Sequence, residues 1–374
     1  MKKLIALLSF CLFLIACSDS DDPAVNGDNG PSEVSFDREA MLAHWADAII
    51  IPGYEDFATK VAALNTAATN FTTATDASNL LALQTAWDNA YLTWQRVSMF
   101  EIGPAETVNL RLNVNIYPAN TTIIENNIAN GNYNLDLSSN RAAKGFAGLD
   151  YILFGLENSP TAIVGVYNGP NGAAYKQYLL DIINDMKFRT DEVLSNWNTT
   201  YRATFVSNSG ASATASTDRL VNDVIFYYEK HLRAGKMGIP GGVFSGTPAP
   251  NTIEALYAGD RSKMYFLEGL QAVQDFFNGV SYDGSTQDES LSAYLDALNA
   301  VKEGADLNTI INTQFDTARA AVTGLDSFAN ELENNPPIAF LDAYEEVQRI
   351  VPLLKVDMVS AMSISIDFAD ADGD

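Results

Sequence analysis

From Phe36 onward apolar residues recur mostly at spacings of three and four, the period of an amphipathic helix, and the strict alternation that marks a half-buried strand is scarce. The pattern predicts an all-α protein. A first set of helices is expected over 37–73, interrupted at Pro52-Gly53, then over 78–102, 119–130, 141–155 and 173–205. A second set is expected over 216–237, 261–280, 289–301, 307–333 and 337–366. Between them the stretch 207–216 is rich in Ser, Gly, Ala and Thr and offers no apolar face, so it reads as a boundary. The chain thus divides into an N-terminal helical bundle, 36–208, and a C-terminal one, 214–374. The two sets resemble each other. The stretch from Lys144 to Gly155 can be laid over that from Glu268 to Gly279, with Gly145 and Gly155, like Gly269 and Gly279, ten apart. An arginine-bearing helix precedes each, Arg96 before Gly103-Pro104 and Arg233 before Gly238-Ile239-Pro240. Duplicated four-helix-bundle-like halves follow from this reading. Coincidence competes with it, because glycine ends many helices.

The first residues change the picture of where the protein works. Met1, Lys2 and Lys3 precede an apolar run from Leu4 to Ala16 broken only by Ser9. That is the layout of an export signal, shorter than the roughly 20 residues a membrane span requires. Leu14-Ile15-Ala16-Cys17 resembles a bacterial lipobox. The expectation is a signal peptide over 1–16, lipidation of Cys17, and a flexible tether over 17–35 rich in Pro, Gly, Asn and Asp. A plain secretion signal is the alternative. The acidic run at Asp19, Asp21 and Asp22 resembles the export tag of surface lipoproteins, which implies anchoring to the outer membrane and display at the surface. Only Cys11 and Cys17 are cysteines, so the body has no disulfide or thiolate metal site. A net charge of −25 argues against nucleic acid as a partner and favours cations or cationic partners.

The stretch Gly145, Phe146, Ala147, Gly148, Leu149, Asp150, followed by Leu153-Phe154-Gly155, resembles the signature helix of imelysin-like proteins. That family's pattern is Gly-x-His-x-x-Glu in an apolar helix ending Leu-Phe-Gly. Here Ala147 replaces the histidine and Asp150 the glutamate. Trp94-Gln95-Arg96 leading to Glu101-Ile102-Gly103-Pro104 is similar to the family's first arginine helix and its exit. Lys236-Met237-Gly238-Ile239-Pro240 with Glu254-Ala255-Leu256-Tyr257, and the tail from Leu354-Lys355-Val356-Asp357-Met358 to Asp372-Gly373-Asp374, are similar to its later segments. The resemblance covers nearly all the mature chain. It implies a periplasmic or surface protein of two helical halves, linked to uptake of iron or haem, and carries a peptidase label.

A histidine and a glutamate three apart share one helical face and can offer imidazole and carboxylate to one ion. Ala147 cannot ligate, and Asp150 keeps only a shorter acid. With Glu101, Glu254 and Asp275 as the acids expected nearby, Asp150 and Glu101 are the candidate metal ligands. Such oxygen donors suit a divalent cation such as calcium or magnesium, or iron, better than zinc. Arg96 and Arg233 are candidates to fork a ligand's carboxylate or phosphate. The plainer reading makes Asp150 the buried ion-pair partner of Arg96 or Arg233, and the other acids caps or salt bridges. Only His44 and His231 supply imidazole, and the chain has no His-Glu-x-x-His helix, no Gly-x-Ser-x-Gly elbow and no phosphate loop. The Gly/Pro-rich stretch 241–250 reads as the rim of a ligand cleft or as an inert connection. Tyr227, Tyr228, Phe276 and Phe277 read as packing residues rather than a haem pocket. The expected protein is a non-catalytic envelope lipoprotein binding a small ligand or metal, acting in iron or metal-compound uptake beside outer-membrane uptake proteins. A metallopeptidase and a metal-free surface scaffold or glycan binder are the alternatives.

Overall fold

The computed structural model describes residues 36–366. The expected signal at 1–16, Cys17 with the tether to residue 35, and the terminal Asp372-Gly373-Asp374 lie outside the described residues. Helices dominate, as the spacing of apolar positions requires. The helix Ile51–Thr73 buries Phe57, Val61, Leu64, Ala68 and Phe71 along one stripe. A tight link follows, in which the Asp76 side chain caps the next helix, Ala77–Val97, by accepting the Asn79 N–H at 2.9 Å. These two helices pack on each other, and Gly172–Asn196 packs on the first.

Ala77–Val97 also packs on Ser262–Asn278, which in turn meets Leu307–Thr323 and, through it, Ile338–Gln348. One helix therefore serves both sets. Trp45 lies 4.7 Å from Phe276 and Tyr91 4.5 Å from Tyr265, ring to ring, so the aromatic core runs unbroken from the first set into the second. Residues on both sides of 207–216 lie within one compact unit, Ser35–Asp374.

Several boundaries differ from expectation. Pro52 does not interrupt its helix: the path runs from Arg38–His44 through a wide π turn at Trp45–Ile50, and Pro52 sits in the first turn of Ile51–Thr73, where its missing N–H does least harm. The helix expected to reach residue 301 ends at Ala297. Val301–Lys302 pairs antiparallel with Ala305–Asp306 instead, around Glu303-Gly304, both with positive φ. The helix begun at Leu307 stops at Thr323, and a short one follows at Phe328–Glu331. The two glycine pairs also do different work. Gly145 opens a helix at φ +64°, where a Cβ would stand 2.1 Å from the Val114 carbonyl oxygen, whereas Gly269 lies inside Ser262–Asn278. Among the described residues no helix is long and apolar enough to cross a membrane.

Candidate functional site

The short helix Gly145–Asp150 is buried throughout, and its last residue faces a turn of the second set. One Asp150 oxygen accepts the Ala258 N–H at 2.8 Å, and the other the Tyr257 N–H at 3.0 Å. Ala255 adopts a left-handed conformation, φ 56°, in the turn that presents these amides. Burial pushes the Asp150 carboxyl up to about 7, against the pull of the two amides and Arg261 and helped by the nearby Glu254 charge. The ion pair expected between Asp150 and Arg96 or Arg233 is not formed. Arg96 instead reaches Asp275 at 3.4 Å and Glu268 at 3.5 Å, with its guanidinium over the Tyr282 ring. Arg233 is buried against Glu229, Tyr344 and Gln348, with Phe244 of the Gly/Pro loop over it at 5.9 Å.

Glu254 belongs to a second cluster in which every charge is buried. Lys236 Nζ donates to Gln95 Oε1 at 2.8 Å and to Glu254 Oε2, while Asn115 Nδ2 donates to Glu254 Oε1 at 2.9 Å. Tyr91 completes the chain by donating to Asn115 at 2.6 Å. Burial lowers the Lys236 pKa and the Glu254 carboxylate partly restores it. Asp150 and Glu254 are thus neighbours, each already engaged.

Glu101 keeps other company, and the structure does not bring it to Asp150. Its Oε2 accepts the Arg111 backbone N–H at 2.8 Å, and its own N–H donates to Asp223 at 2.5 Å. Arg111 forks onto Asp223 at 3.0 and 3.2 Å and donates from Nε to the Ser98 carbonyl at 2.7 Å. Burial raises Glu101 to about 7, with Arg111 opposing and the charges of Asp223 and Glu106 adding to it. This group floors a cleft of about 520 Å³ lined by Glu101, Arg111, Arg219, Asp223, Lys230 and His231. Burial, then the charges of Arg111, Lys236 and Lys230, holds the His231 pKa well below its usual value, so the ring stays neutral. Ile102, Leu112 and Phe226 give the cleft apolar walls. Its size and mixed lining are those of a small-molecule site.

Tyr227, Tyr228, Phe276 and Phe277 are core residues, as expected. Sequence reasoning missed Arg111, Asp223 and Gln95 and quoted Lys236 without a role. The signal for Arg111 was present, a lone charge between Leu110 and Leu112 on an otherwise buried turn. Among the described residues no three His, Cys, Asp or Glu side chains converge to hold a metal.

A family model described as imelysin matches residues 50–350. Two solved structures share the fold. An imelysin-like protein from Psychrobacter arcticum 273-4 aligns with TM-score 0.67 and 18% identity, over 88% of this chain and 97% of that one. A protein from Parabacteroides distasonis ATCC 8503, provisionally assigned as an iron-regulated protein A precursor, aligns with TM-score 0.68 and 18% identity, over 86% and 95%. No curated protein matches.

Proposed function

The chain belongs to the imelysin family, and from that premise we propose that it is a cell-envelope binding protein that captures iron or an iron-bearing compound without breaking bonds in it. The observation that carries this reading is the condition of the signature helix. Ala147 offers no donor, and both Asp150 oxygens are occupied by backbone amides. A water-activating metal centre needs two or three protein ligands and an open position, and this helix supplies no such set. That weighs against the metallopeptidase reading.

The cleft over Arg111 and Asp223 supports capture. Arg219 and Lys230 at its edge attract an anion, its apolar walls suit an organic body, and the neutral His231 ring costs little to desolvate. A compact iron chelate bearing carboxylates meets that description. The name of the Parabacteroides neighbour supports iron as the class of cargo. On this reading Cys17 carries the lipid and the body faces outward from the outer membrane, handing cargo to an uptake protein.

Equilibrium dialysis of the purified protein against ferric citrate tests the proposal. Saturable binding is expected, weakened several-fold by the exposed pair Arg219→Ala and Lys230→Ala. No binding of ferric citrate or haem would reject it, and casein cleavage that stops on adding chelator would establish the peptidase instead.

A further inference from the structure

Three oxygen-bearing side chains from three separate elements meet away from the cleft. Glu125 stands on the helix Thr121–Asn130, Tyr151 opens the π segment Tyr151–Gly155, and Tyr175 lies near the start of Gly172–Asn196. Tyr151 donates to Glu125 Oε1 at 2.9 Å and Tyr175 to Glu125 Oε2 at 2.6 Å. All three side chains are half-buried. Glu125 has no Lys, Arg or His partner among the described residues, so its charge is answered by two phenols alone. The arrangement is held from outside: the Tyr257 ring packs 5.3 Å from that of Tyr151, in space left by Gly155, where a Cβ would lie 2.5 Å from the Tyr257 ring. Tyr167 packs 5.8 Å from Tyr175. Asp150, by pinning the amides of Tyr257 and Ala258, positions that outer ring.

We propose that Glu125, Tyr151 and Tyr175 form a binding site for a hard trivalent cation, ferric iron foremost. The spacing fits. A six-coordinate hard cation with bonds near about 2.0 Å sets neighbouring ligand oxygens about 2.8 Å apart, close to the two contacts seen. The charge fits as well, since one carboxylate and two phenolates carry three negative charges. Binding releases the two Oη protons to solvent and forms two iron–phenolate bonds beside the carboxylate. Iron stays ferric, water fills the remaining positions, and no electron moves. Burial and then the hydrogen bond to Glu125 push both phenols above their usual range. Calcium or magnesium polarises too weakly to displace such protons, and this selects the trivalent class. The site goes beyond the cleft, with which it shares no residue, and stands whether or not the cleft captures a chelate.

Ferric nitrilotriacetate added to the purified protein near neutral pH is the probe. A visible phenolate-to-iron charge-transfer band is expected, saturating at one iron per chain. Tyr151→Phe and Tyr175→Phe should each weaken it about tenfold or more, the double variant should abolish it, and Glu125→Gln should weaken binding. Unchanged thermal melting of the phenylalanine variants shows that only hydroxyls were lost. The band should survive Arg219→Ala with Lys230→Ala, which disables the cleft alone. Absence of the band in the native protein, or its persistence in the double phenylalanine variant, overturns the site. Citrate-borne iron retained through the cleft without a band overturns the tyrosine site and leaves the proposed function intact.

Discussion

Asp150 is where one side chain decides the fate of a motif. A carboxylate accepting two backbone N–H groups in a buried place makes charge-assisted bonds that an amide cannot replace, because an asparagine turns an NH2 toward one of the donors. Asp150→Asn is therefore expected to cost about 1–3 kcal/mol, read as a lower urea midpoint with an unchanged slope. An unchanged midpoint would show that the two amides find water or another acceptor. The replacement of the family's His and Glu by Ala147 and Asp150 is legible in the sequence. The partners of Asp150 are not. They are peptide groups, without a residue-type signature, and the turn presenting them uses a left-handed alanine, Ala255, where glycine would have flagged it.

At the scale of elements, the helices were legible because each buries one stripe, and their ends were legible where a cap such as Asp76 stands. The π turns were not. Trp45–Ile50 and Tyr227–Gly238 keep an apolar spacing close to that of an α-helix, so the pattern does not announce the extra residue. The contact between the 101–111 segment and the helix Ser216–Phe226 sets a pH dependence. Glu101 titrates near 7 when folded and near 4.5 when free, so the folded chain holds its proton more tightly. The resulting stability is fully present below about pH 4.5 and lost as pH rises through 7. His231, with a lowered pKa, acts in the opposite sense, its contribution falling away below about pH 6.5. The comparison must therefore be between variants. The native protein should lose more stability between pH 5 and pH 8 than Glu101→Gln does, by chemical denaturation at each pH. Parallel curves would mean that Glu101 ionises freely in the fold.

The whole molecule raises the question of whether the two helical sets are independent. Their existence was readable in the sequence, with a weak stretch at 207–216 between them. The seam was hidden, because its bonds join residues remote in sequence: Asp150 to Ala258 across 108 positions, Arg111 to Asp223 across 112, Lys236 to Gln95 across 141. Charges buried between two surfaces make separation costly, since each side would expose or strand an ion held by the other. The aromatic core crosses the same seam through Trp45, Phe276, Tyr91 and Tyr265. The chain should therefore unfold in one cooperative transition, with far-UV and near-UV signals coincident and calorimetric and van't Hoff enthalpies equal. Lys236→Met makes the test sharper. It leaves Glu254 buried without its cation, a loss of about 3–5 kcal/mol, and because Glu254 also holds Asn115 of the first set, the whole transition should move down together. Two transitions in the native protein, or a shift in only one of them in the variant, would mean that the sets are separate bodies and the seam a surface contact.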